Sequence, residues 1–231
     1  MLKCFIDNSA WGAVMKFGVY LYDGVEPIDL ATIGVLSMAK RIRADIAFCT
    51  IAPQAGPVLL SNGLTVLADH GRLDAPQVDV LILTGGPGWV EQAQSQATLE
   101  FLRRRAADTV LASVCTGGMI LAASGLLDGH AATTKREVVA PEFPPIQTMR
   151  TKYPQIEVRE ACLVDNGTLI TGGGVSLCID VTLYLLERFV DAQTAAETAR
   201  TMEYTRARAA NLDGFAPIIF NATNEPRNRL S

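Results

Sequence analysis

Apolar and polar positions follow two rhythms along this chain. Mainly apolar runs recur at residues 16–22 (KFGVYLY), 44–51, 79–83 (DVLIL) and 110–114 (VLASV). Runs of this length closed by turn residues are the pattern of strands buried on both faces, as in a parallel sheet. Between them, apolar residues spaced three and four apart over 25–39, 89–107, 119–123, 175–189 and 192–204 predict helices that cover such a sheet. Pro27 suits the first turn of the first helix, and Arg103, Arg104 and Arg105 end the second, where cations complement the helix dipole. Asn62-Gly63 between 57–61 and 64–67 predicts a hairpin, and Asp165-Asn166-Gly167 joins strands expected at 156–164 and 168–171. Residues 131–134 suit a short strand, and APEFPP at 140–145 interrupts any helix around it. The alternation of strands and helices predicts an α/β fold, a three-layer α/β/α sandwich with a mainly parallel central sheet. One domain over residues 15–205 is expected, with an extension over 1–14 and a weakly periodic tail over 206–231 packed on or near it.

One junction carries chemistry. The strand at 110–114 runs into Cys115, Thr116, Gly117 and Gly118, and a helix begins at once. A cysteine on such a strand-to-helix turn is presented beside the helix's unpaired N–H groups and positive dipole end. That setting is expected to lower the thiol pKa, and the small residues after it form a nucleophile elbow. Gly85, Gly86 and Gly88 end the DVLIL strand, and in a doubly wound sheet this turn and the elbow converge at one edge. Gly86 is then a candidate backbone donor facing Cys115. Asp29 falls just after the first strand, at the same edge, as a proton partner or a residue favourable to its helix; Glu26 is a nearby rival carboxylate. Gly172 to Gly174 read as a tight turn.

Composition narrows the chemistry further. The 231 residues are 49% hydrophobic with a formal charge of -4, so neither a basic stripe for nucleic acid nor a membrane partner is expected. No compact apolar leader with a cleavage site opens the chain, and the expected location is the cytoplasm. The five cysteines are scattered and never spaced CxxC, which suggests neither a disulfide framework nor a zinc site. Cys49, Cys162 and Cys178 lie in strand or helix patterns and read as small buried hydrophobes. His70 and His130 are the only histidines, and neither adjoins the elbow. No phosphate-binding glycine motif accompanies the turns.

YDGVEPIDL (22–30), LTGGPG (83–88), SVCTGGMILAASGLLDGHAATT (113–134) and LITGGGVSLCIDVTLYLLE (169–187) together resemble the DJ-1/PfpI superfamily, in particular its isonitrile hydratase-like branch. The resemblance covers about residues 16–204. It implies a flavodoxin-like sandwich, a homodimer, a small-molecule substrate, and a cysteine nucleophile with no metal or organic cofactor. Cys115 matches the elbow cysteine, Asp29 the aspartate that hydrogen-bonds it, Thr116 the threonine after it, and Gly86 a donor in the oxyanion pocket. Other members use a glutamate in the equivalent role, which keeps Glu26 as a lesser candidate. PfpI-type proteases place a histidine after the cysteine, where this chain has Thr116, so proteolysis is not expected. The branch carries histidine and tryptophan after ATT, whereas Lys135 and Arg136 stand here.

The expected function is therefore hydration of an isonitrile to an N-substituted formamide through a thioimidate on Cys115. Two alternatives compete with it. Glyoxalase-like chemistry would begin from the same cysteine as a hemithioacetal, and a non-catalytic redox-sensing or ligand-binding role would use it as an oxidisable thiol.

Overall fold

A computed structural model of the protein describes residues 14–220. The expected extension over 1–14, Val14 apart, and the last part of the tail lie outside the described residues.

The first strand, β1 (Met15–Tyr20), leads through a 3-10 turn at Pro27–Leu30 into α1 (Ala31–Ile42) and β2 (Ile46–Ala52). A hairpin of β3 (Gly56–Leu59) and β4 (Thr65–Ala68) follows, then the short β5 (His70–Gly71) and β6 (Val80–Leu83). Next come α2 (Trp89–Gln92), α3 (Gln96–Arg105), β7 (Val110–Ser113) and α4 (Gly117–Ala123). β8 (Ala131–Ala132), α5 (Pro145–Lys152), β9 (Glu157–Val158), β10 (Leu163–Asp165) and β11 (Leu169–Gly172) precede α6 (Cys178–Phe189) and α7 (Ala192–Thr201). The described chain closes with α8 (Thr205–Gly214) and β12 (Ile218–Ile219).

The main sheet has eight strands in the order β12-β10-β11-β7-β6-β1-β2-β5. From β11 to β5 every neighbouring pair is parallel; β10 runs antiparallel to β11, and β12 lies parallel to β10. Every residue of β6 and β7 is buried, as expected of strands covered on both faces. One layer contains α1, α6 and α7, packed on each other; the other contains α2, α3, α4 and α5. The buried stripe of α1, Thr32, Val35, Leu36 and Ala39, has the predicted helical spacing. The chain leaves β1 toward β2 on one side and resumes at β6 on the other. The carboxyl ends of β1 and β6 thus flank the reversal of strand order, where open α/β sheets form their clefts.

Several expected boundaries shift for local reasons. The helix expected over 25–39 opens as the 3-10 turn, which holds Asp29, and becomes α-helical only at Ala31. The helix expected over 89–107 breaks before Ser95, whose hydroxyl caps α3 by accepting the Thr98 N–H at 3.4 Å. The strand expected over 156–164 is two short strands in different sheets, β9 beside β8 and β10 beside β11. The helix expected from Val175 starts at Cys178. The weakly periodic tail contains α8 and β12, and β12 pairs Ile218 with Val164 and Ile219 with Asp165. No residue of α8 is buried, so it has no apolar stripe to read; polar contacts hold it, Asn211 to Asp180 at 2.8 Å and Arg208 to Glu187 at 2.6 Å. Among the described residues no helix is long and apolar enough to cross a membrane.

Candidate active site

The sharp turn from β7 into α4 is built on an uncommon backbone state. Cys115 has φ 51°, in the left-handed region that costs an L-residue roughly 1–2 kcal/mol. Neighbours hold it there: the Cys115 N–H donates to Gly173 O at 2.9 Å, and Thr134 Oγ1 donates to Cys115 O at 2.8 Å. The residue is only 2% exposed.

The turn after β6 and the segment after β1 meet at this elbow. Asp29 is fully buried, and its Oδ2 accepts the Gly85 N–H at 2.6 Å. Its Oδ1 is buried with no hydrogen-bond partner, although Asp29 lies near enough to the thiol for each to shift the other's ionisation. The Gly86 N–H donates to Thr116 Oγ1 at 2.8 Å, which ties the two turns together. Gly86 has φ 140°, and a Cβ there would lie 2.2 Å from Gly24 O, so only glycine fits. Its N–H, expected to face a reacting oxygen, is engaged by the threonine hydroxyl in this structure. Glu26 stands one layer out: its carboxylate accepts the Ser61 hydroxyl at 3.5 Å, and its charge acts on Asp29.

Electrostatics reverse one expectation. Burial raises the Asp29 carboxyl to about 7; the Gly85 N–H opposes this, the Glu26 charge adds to it, and Lys135 and the thiol lower it. The Cys115 thiol is pushed well above its ordinary value, chiefly by burial and next by the Asp29 charge. The Thr116 N–H and Lys135 pull it down by less. The helix N-terminus was expected to make a ready thiolate, but α4 offers its N–H groups inside an apolar site beside an acid, and desolvation prevails.

Four further residues complete the site. Tyr22 is buried, donates to Thr84 O at 2.9 Å, and is raised by burial and then by the Asp29 and Cys115 charges. Cys178 donates to Ile28 O at 3.5 Å, fastening the Asp29 segment to α6, and burial pushes its thiol up to about 12. Gly174 belongs to the site wall rather than to a simple turn: a Cβ there would sit 3.2 Å from Cys115 Sγ and 2.9 Å from Lys135 Cβ and Cγ. Lys135 is thus the fourth. No sequence signal marked Gly174 or Cys178, since both reach the elbow only through the fold. The histidines lie elsewhere. His70 is on β5, four strands from β7, with Asp74 Oδ2 at 3.7 Å; His130 is in an exposed turn. A cavity of about 340 Å³ is lined by Tyr22, Arg72 and Gln92 but by neither Cys115 nor Asp29.

A mostly parallel sandwich with a cysteine on a left-handed strand-to-helix elbow, backed by a buried carboxyl group, defines a known class of α/β domain. The chain belongs to the DJ-1/PfpI family, whose model matches residues 15–188. It is 30% identical over 195 residues to isonitrile hydratase of Pseudomonas putida, covering 84% of this chain and 80% of that protein. It is also 30% identical to the HTH-type transcriptional regulator CdhR of Pseudomonas aeruginosa, covering 75% of this chain and half of the regulator. A THiJ/PfpI family protein from Pseudomonas syringae superposes with a TM-score of 0.72 at 23% identity, covering 93% of both chains.

Proposed function

We propose that the protein is a cysteine-dependent hydratase that converts an isonitrile to an N-substituted formamide. The observation that carries this reading is the burial of Cys115 and Asp29 together at the elbow, which raises the thiol and brings the carboxyl up to about 7. The terminal carbon of an isonitrile has a lone pair and is also electrophilic, so it takes up a proton and a sulfur at one atom. A neutral thiol beside a proton carrier supplies both, without a thiolate standing in wait. The sulfur bonds to the carbon while the thiol proton passes through Asp29 to the same carbon, giving a thioimidate, R–N=CH–S–Cys115. Water then adds to that carbon; Asp29 takes one of its protons, and the nitrogen gains one. The C–S bond breaks, the sulfur recovers its proton, and R–NH–CHO leaves. The Thr116 N–H is oriented to support negative charge on the sulfur while the C–S bond forms and breaks.

The similarity to isonitrile hydratase of Pseudomonas putida supports the reaction, and two observations favour it over the alternatives. Redox sensing is served by an exposed, low-pKa thiolate, whereas Cys115 is 2% exposed and its thiol is raised. Glyoxalase-like chemistry leans on a histidine or glutamate as base; neither histidine reaches the elbow, and Glu26 stands one layer out, where its carboxylate accepts the Ser61 hydroxyl. Incubation with an aryl isonitrile, followed by chromatography of the formamide, tests the proposal. Turnover is expected and should be abolished in Cys115→Ala; absence of turnover, or turnover that survives this substitution, refutes it.

A further inference from the structure

Lys135 and Arg136 are neighbours in the chain, yet their surroundings differ. The Arg136 guanidinium lies 3.6 Å from the centre of the Phe215 ring and 4.0 Å from Glu160 Oε2, so it is occupied from the C-terminal side. Lys135 has no carboxylate within 4 Å among the described residues and is half-buried. Its Cβ and Cγ stand 2.9 Å from the point above Gly174 that lies 3.2 Å from Cys115 Sγ, so its stem and the thiol border the same space. Its charge acts on both Asp29 and Cys115, which places the ammonium within electrostatic reach of the reacting groups. Burial raises the Asp29 carboxyl, which makes it a weaker counterion than an ordinary carboxylate. A half-buried lysine whose stem lines the site and which has no carboxylate within 4 Å favours an anion that enters with the ligand.

We propose that Lys135 is a specificity-determining residue that pairs with an anionic group on the substrate, so that the site selects an isonitrile bearing a carboxylate over a neutral one. The substrate half of this inference rests on isonitrile hydration; the charge selection does not.

The experiment has two arms, each with wild type, Lys135→Gln and Lys135→Arg, folding being checked by circular dichroism. In the first, Cys115 is alkylated with iodoacetate or iodoacetamide, and the ratio of the two rates is compared with that of free cysteine. Taking the ratio cancels changes in thiolate fraction. Wild type should favour iodoacetate relative to free cysteine, and Lys135→Gln should lower the ratio on the order of tenfold, as expected for one charge at close range in a partly screened site. Lys135→Arg should retain most of the preference. In the second arm, 4-isocyanobenzoate is compared with its methyl ester. Lys135→Gln should raise KM for the acid relative to the ester by about tenfold, with kcat for the two changing in parallel. An alkylation ratio equal to that of free cysteine, or a ratio unmoved by Lys135→Gln, overturns the charge selection. An intact alkylation preference with no isonitrile turnover overturns the reaction and leaves the charge selection standing.

Discussion

Replacing Asp29 by asparagine separates the two roles of that side chain. Asparagine keeps the size of the group and an oxygen for the Gly85 N–H but removes the charge. Moving a fully buried carboxyl from its ordinary 3.8 to about 7 makes its ionised form cost about 4 kcal/mol of folding free energy. Between about pH 4 and pH 7 the folded chain holds a proton on Asp29 that the unfolded chain has released. Stability therefore falls as pH rises through that window, and the loss is complete above about pH 7. In Asp29→Asn this slope is absent. Urea unfolding should find the variant about 2–3 kcal/mol more stable than wild type at pH 8, after allowing for a weaker bond from Gly85, and nearly equal at pH 4. Cys115 supplies a second readout. Its thiol is raised partly by the Asp29 charge, so alkylation by neutral iodoacetamide at a fixed pH of about 9 should be faster in the variant. Turnover of isonitrile should fall about 100-fold or more, because the proton carrier is lost. A thiol easier to ionise in an enzyme that works worse is the signature of this arrangement. Unchanged pH dependence of stability, or alkylation that slows in the variant, would refute the reasoning.

Gly174→Ala places a methyl group 3.2 Å from the sulfur and 2.9 Å from the Lys135 stem; alkylation of Cys115 by iodoacetamide should slow at least tenfold while the melting temperature shifts by only a few degrees. At position 115, glycine should be more stable than alanine by about 0.5–1 kcal/mol in urea unfolding, because φ 51° suits glycine, whereas inside a helix glycine loses by a similar amount.

Legibility in the sequence followed the range of the interaction. The elbow was readable because a buried strand, a cysteine and small residues are neighbours in the chain, and the central strands because burial on both faces leaves an apolar run. Asp29 was readable as a position at the right edge of the sheet, since strand order and connection length put it there. The ionisation of Cys115 was not: the helix dipole is a local feature, but the desolvation that outweighs it comes from the whole enclosing fold. Gly174 gave no sign of its place against the sulfur, because β11 must first pair with β7 to bring the following turn to the elbow. α8 went unseen because its anchors, Asn211 and Arg208, are polar residues whose partners lie on another helix.

The ring of Phe215 has a consequence for anyone trimming this protein to a minimal domain. A shortened version ending after α7 would keep the elbow, its acid and the six parallel strands, and would pass for a complete catalytic unit. It would also release Arg136 from the ring that holds it, beside the ammonium of Lys135. The trimmed protein would then hold Arg136 by Glu160 alone, next in the chain to the lysine at the site wall, so that a change made for convenience at one end of the chain would loosen a charge near the middle.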